Sequence, residues 1–177
     1  VSFREGYLGL GSNLGEPLEH LRSAVTTLGE HDVFVGRLSS VYRTEPVESP
    51  GSPWFLNAVA AVRFRGEPLD LLQACHQIEA SRGRARTRTR ARTEVNAPRT
   101  LDLDVLLVGS EIVTTPELTV PHPCLSARRF VLVPMVEIAP DVVNPLSGLT
   151  MRQQLSQCPD VSQVEVVYGP AMLASCA

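Results

Sequence analysis

The chain has 177 residues, 44% of them hydrophobic and 20% charged, with mean hydropathy +0.04 and net charge −3. That length suits one domain with a sizeable core, and the acidic balance argues against a general nucleic-acid binder. All 16 basic residues are arginines, which excludes a P-loop and any lysine Schiff-base mechanism.

Tyr7 to Leu10 reads as a short strand, ended by Gly11-Ser12-Asn13. Pro17 suits the first turn of a helix whose inner face carries Leu18, Leu21, Val25 and Leu28. Val33 to Tyr42 reads as one further strand, with Val33, Val35 and Val41 as its β-branched members. Thr44 to Pro53, with three prolines and a glycine, is a loop. Phe55 to Phe64 is a third strand, and Pro68 opens a helix facing inward through Leu71, Leu72, Cys75 and Ile78. Arg82 to Ala97 is a long polar connection, and Leu101 to Val108 is the next strand. Ser126 is the expected N-cap of a helix reaching Ile138, which Pro134 should kink or interrupt. A short helix near Met151 to Leu155 and a strand over Val161 to Tyr168 complete the pattern. The order βαββαβ predicts an α+β fold: a ferredoxin-like core with helices packed on an antiparallel sheet, in a single domain over 1–177.

The most informative segment is Pro98-Arg99-Thr100-Leu101-Asp102-Leu103-Asp104-Val105. On a strand, Asp102 and Asp104 share one face while Leu101, Leu103 and Val105 take the other. Two carboxylates about 6–7 Å apart repel unless a cation sits with them. Mg²⁺ is the natural candidate, since it takes one or two carboxylates and fills its other sites with water and substrate phosphates. The alternative is a solvated strand face. Arg82, Arg84, Arg86, Arg88, Arg90 and Arg92 approach this strand, as either a solvated loop or a set of guanidinium groups for polyphosphate.

Gly9-Leu10-Gly11-Ser12-Asn13-Leu14-Gly15 resembles a dinucleotide fingerprint but is one residue too long, so a tight strand-to-helix turn is the better account. Phe55 and Phe130 flank polar residues at element boundaries; two such rings could sandwich a flat heterocycle whose edge Asn57 reads. His122, between Pro121 and Pro123, could donate to a phosphate or cap a turn. His20, His31 and His76 have helix-surface readings. Cys75, Cys124, Cys158 and Cys176 are too scattered for a zinc site or a disulfide framework. Arg4 and Glu5 before a short apolar run read against a signal peptide, and no apolar stretch approaches a membrane span. A reduced cytoplasmic protein is expected.

Gly11-Ser12-Asn13-Leu14, Tyr42-Arg43-Thr44, Phe55-Leu56-Asn57-Ala58, Gly83-Arg84, Pro98 to Asp104 and Val120-Pro121-His122 together resemble the 6-hydroxymethyl-7,8-dihydropterin pyrophosphokinase family of folate biosynthesis. They run in the family's order over about residues 5–145. The resemblance implies transfer of the β,γ-diphosphate of ATP to the pterin hydroxymethyl oxygen, releasing AMP. Asp102 and Asp104 would hold two Mg²⁺ ions. Phe55 and Phe130 would sandwich the pterin, Asn57 would hydrogen-bond it, and backbone near Thr44 and Val47 would complete its pocket. Arg84, Arg86, Arg99, His122 and Arg128 would contact phosphates and carry catalysis, with His76 and Glu79 on the nucleotide side. The substrates would be ATP and the pterin, with no nucleic acid or membrane partner, and a monomer is expected. Family members often carry an aromatic residue and a glycine where this chain has Asn96 and Ala97, and some have an aromatic residue at Pro123. Two competing readings are an RNA-binding module of RRM-like topology, which needs exposed aromatics on its central strands, and a family member that binds pterin without turnover.

Overall fold

The computed structural model describes residues 2–47, 50–82 and 100–174. Its main elements are β1 (Arg4–Ser12), α1 (Pro17–Glu30), β2 (Phe34–Leu38), β3 (Val41–Thr44), β4 (Phe55–Phe64), α2 (Pro68–Ser81) and β5 (Asp102–Val108). A two-strand ladder of β6 (Val113–Thr114) and β7 (Thr119–Val120) follows, then a 3₁₀ turn (Leu125–Ala127), α3 (Arg129–Ile138), α4 (Met151–Ser156) and β8 (Val164–Tyr168). The main sheet has the order β5-β1-β4-β3-β8, with β2 also paired to β4. Its pairings are all antiparallel. With β2 and β3 taken as halves of one position, this is the expected βαββαβ core, extended by β8.

The sheet buries both faces, each against one helix pair. Leu8, Leu10, Ala58, Ala60, Leu103 and Val105 pack with Leu21, Ala24 and Leu28 of α1 and Leu71, Cys75 and Ile78 of α2. On α1 that is the i, i+3, i+7 stripe of a helix laid on a core. Tyr7, Val59, Leu106 and Leu107 pack instead with Val131, Leu132 and Met135 of α3 and Met151 of α4. A β-bulge between β1 and β5, where Tyr7 faces Leu107 and Leu8 faces Val105, lets both Leu106 and Leu107 join this second cluster. Helix α2 starts at Pro68 behind a capping box, in which the Glu67 N–H donates to Asp70 Oδ2 at 2.7 Å. Gly66 before it has φ +102, and a Cβ there would lie 2.4 Å from Asp70 Oδ2.

Three expectations are corrected. Val33 to Tyr42 is two strands, because buried Ser39 diverts the backbone. Its N–H donates to the Val59 carbonyl (2.9 Å), and its Oγ accepts the Val59 N–H (2.8 Å) and donates to Ser40 O (2.7 Å). Ser126 does not cap the third helix. It lies in the 3₁₀ turn, and α3 begins at Arg129, whose N–H donates to Asp160 Oδ2 at 2.9 Å. Pro134 does not interrupt α3, which runs continuously through it with the ring buried in the core. Pro134 is the sixth of ten helical residues, so what it forfeits is one interior bond, to the Phe130 carbonyl.

Candidate active site

The pleat and register place the predicted residues. Asp102 lies opposite Gly11 and Asp104 opposite Gly9. On the other side of β1, Gly11 faces Asn57 and Gly9 faces Val59. Directly opposed residues share a face, so both aspartates and Asn57 lie on the face that α3 covers through Val59. Asp102 and Asn57 are separated by two strand spacings, roughly 10 Å, with only a glycine between them. A Cβ on Gly11 would come within 2.7 Å of Asn57 Oδ1. Gly11 therefore leaves a trough over the end of β1, with carboxylates on one side and an amide on the other, and Leu106 fills the space over Gly9.

On the amide side, Asn57 Nδ2 donates to Thr44 Oγ1 at 2.6 Å, and both residues are buried. Phe55 pairs with Thr44 at the start of β4 and is half-buried. Val47, in the loop beyond, is exposed. Phe130, in the first turn of α3, packs against the α3 cluster, and the Arg128 guanidinium lies 5.6 Å from its ring centre.

On the carboxylate side stands His122. Its N–H donates to the Leu106 carbonyl (2.9 Å), and its Nδ1 accepts the Cys124 N–H (3.1 Å). With Nδ1 engaged as an acceptor, the neutral ring carries its proton on Nε2. Burial first, then the Arg128 charge, lowers the imidazole pKa to about 4, while Asp102 opposes them. His122 thus lies within electrostatic reach of both Arg128 and Asp102. Glu79 is buried beneath β5 in α2, and its Oε1 accepts the N–H of Leu103, the residue between the two aspartates, at 2.9 Å. His76, one turn earlier on α2, is half-buried. Arg84, Arg86 and Arg99, together with Arg88, Arg90 and Arg92, lie outside the described residues.

Supporting residues that local sequence does not single out complete the frame. Ser12 Oγ donates to the Thr100 carbonyl (2.5 Å), which ties the end of β1 to the approach of β5. Asn13 Nδ2 donates to Pro53 O (3.1 Å), which anchors the loop before Phe55. The one signal for both is a polar Ser-Asn pair at the end of β1. Among the described residues, no group of three His, Cys, Asp or Glu side chains forms a metal cluster. Two carboxylates and no thiolate are the donor set of a hard cation that shares its remaining positions with water and substrate, and they fit Mg²⁺ rather than zinc.

A model of the 7,8-dihydro-6-hydroxymethylpterin-pyrophosphokinase family matches residues 7–140. The chain belongs to this family. A 2-amino-4-hydroxy-6-hydroxymethyldihydropteridine pyrophosphokinase of Pseudomonas aeruginosa is 38% identical over 154 residues, covering 86% of this chain and 91% of that one. Its Methylorubrum extorquens counterpart is 40% identical over 162 residues, with 91% and 97% covered. The fold is likewise that of a Plasmodium falciparum HPPK-DHPS solved with pterin and p-hydroxybenzoate. The TM-score is 0.64 at 13% identity, covering 89% of this chain and 42% of that one. In this fold Asp102, Asp104 and Asn57 share one face of the sheet, and His122 lies within electrostatic reach of Asp102 and Arg128.

Proposed function

We propose that this member of the family transfers the β,γ-diphosphate of ATP to the hydroxymethyl oxygen of 6-hydroxymethyl-7,8-dihydropterin. The substrate oxygen attacks the β-phosphorus, the bond to the α,β-bridging oxygen breaks, AMP leaves and the hydroxyl proton is released. The observation that carries this reading is the division of the trough: Asp102 and Asp104 on one side of Gly11, Asn57 and Thr44 on the other.

Asn57, braced by Thr44, presents its amide edge to the pterin, and Phe55 and Phe130 supply ring faces. Backbone near Thr44 and Val47 closes that side. Mg²⁺ held by Asp102 and Asp104 with ATP would neutralise phosphate charge. His122 offers an Nε2–H to a phosphate oxygen and stays neutral while doing so. Arg128 adds a fixed cation at the start of α3. Arg84, Arg86 and Arg99 are assigned phosphate contacts by resemblance. Glu79, assigned with His76 to the nucleotide side, acts from beneath by fixing the Leu103 N–H and so the spacing of the two aspartates. Catalysis here is mainly positioning and charge stabilisation. A cytoplasmic setting accords with the free thiols of Cys75, Cys124 and Cys158 and with a phosphate-donor substrate; no helix among the described residues is long and apolar enough to cross a membrane.

The RNA-binding alternative draws no support from the central strands, where Tyr7 and Phe64 are buried and α3 covers one face. The metal assignment is tested by Asp102→Ala and Asp104→Ala. Each should reduce AMP release by at least a hundredfold, roughly the scale of losing a main electrostatic stabiliser, with circular dichroism unchanged. Near-normal turnover in either variant overturns the assignment.

A further inference from the structure

The family match ends at residue 140, yet a later segment reaches the pterin side of the trough at two points. Asp160 Oδ2 accepts the N–H of Arg129, the first residue of α3, at 2.9 Å, and its Oδ1 accepts the Ser162 N–H at 2.9 Å. The N-cap position itself, Arg128, supplies no side-chain acceptor. Asp160 therefore caps α3 from a distant part of the chain, where a carboxylate also suits the helix dipole. Burial alone would raise its pKa, but hydrogen bonds from Ser162 and from the Arg129 N–H outweigh that and hold it below the usual value, so it is charged at neutral pH.

Three residues on, the same segment is fastened to the end of β3. The Glu45 N–H donates to the Gln163 carbonyl (3.1 Å), and the Gln163 N–H donates to Glu45 Oε2 (3.2 Å). Val164 then pairs with Thr44. A stretch of three residues spans at most about 10 Å, so it acts as a short strap between the helix turn bearing Arg128 and Phe130 and the strand end bearing Thr44.

We propose that Asp160 is a positioning residue of the pterin site, setting the distance between the Phe130-bearing turn and the Asn57–Thr44 pair without touching substrate. The inference rests on the proposed function. When the cap is lost the first turn of α3 frays, and the fraction of molecules with Phe130 in place falls; apparent pterin affinity falls with that fraction. On the nucleotide side Asp102, Asp104 and Glu79 are held by β5 over α2 and do not depend on the strap, so only the Arg128 contribution is exposed to its loss.

The test uses the full chain, with calorimetric titration of α,β-methylene-ATP with Mg²⁺, and of the pterin in its presence. Asp160→Ala should weaken pterin binding about tenfold, the scale of one lost helix cap, and nucleotide binding by clearly less, since only Arg128 of the phosphate-side groups sits on the frayed turn. Asp160→Asn, which keeps one acceptor oxygen, should fall between Ala and wild type, and it decides the matter if the alanine variant does not fold. Unchanged pterin affinity, or equal weakening of both ligands, overturns the inference. Wild-type protein that binds no pterin at all overturns the proposed function, and the inference with it, before any variant is compared.

Discussion

His122 works through its hydrogen bonds more than through its charge. Because the Cys124 N–H occupies Nδ1, nitrogen-detected NMR at neutral pH should show the Nε2–H tautomer; an Nδ1–H tautomer would remove the ring as a phosphate donor. Its pKa near 4 lies below the ordinary 6.5, so between those values the unfolded chain binds more protons at this site. Its contribution to stability is thus complete above about pH 6.5 and is lost as pH falls toward 4. Thermal unfolding of His122→Gln should depend less steeply on pH across that window than wild type; parallel slopes would contradict the assignment. Gly11 gives a steric counterpart. A methyl group would strike Asn57 Oδ1, and that amide is already fixed by Thr44, so Gly11→Ala should cost about 1–3 kcal/mol by overpacking. Steady-state kinetics should then show the pterin KM rising more than that for ATP, and equal values in mutant and wild type would show that the amide can yield. At this scale the aspartate pair was legible because a period of two fixes its face. The need for Gly11 was not, because it arises from Asn57 on another strand.

Helix α3 is held at its two ends by different parts of the chain. Asp160 caps its start. Toward its end, Glu137 accepts from the Ser40 N–H at 3.0 Å, the Ser40 hydroxyl at 2.9 Å and the Tyr42 hydroxyl at 2.5 Å. Burial, followed by the hydrogen bond and charge of Glu137, raises the Tyr42 phenol far above its ordinary pKa, so it stays a donor throughout the working range. Removing this acceptor in Glu137→Ala leaves those donors without it, at about 1–3 kcal/mol. Differential scanning calorimetry should show Tm lower by about 2–4 °C for each kcal/mol, and an unchanged Tm would show that water replaces the carboxylate fully. Elements with their own periodicity were readable: α1, α2 and β4 lie where Pro17, Pro68 and the apolar runs put them. The start of α3 was not, since its cap lies 31 residues downstream, and Ser126 offered a local cap that the chain does not use. The break at Ser39 escaped for the same reason: its partner is Val59, on a neighbouring strand.

Across the whole molecule, the sheet divides its labour between faces. Helices α1 and α2 bury one face as a continuous core. On the other, α3 and α4 cover the half bearing Tyr7 and Val59 and leave the ends of β1, β4 and β5 to the aspartates, Asn57 and Phe55. The βαββαβ order was legible from alternation of strand and helix patterns, and the site face followed from Asp102 and Asp104. The edge strand β8 was placed only approximately, and its union with β3 was invisible, because antiparallel pairing between distant segments leaves no local mark. The family's pyrophosphokinase chemistry predicts attack at the β-phosphorus. Purified protein mixed with ATP, Mg²⁺ and 6-hydroxymethyl-7,8-dihydropterin, followed by chromatography, should yield AMP in equal amount to the pterin diphosphate, dependent on pterin and abolished by EDTA. Formation of ADP with a pterin monophosphate, or pterin binding with no nucleotide product, would contradict the account.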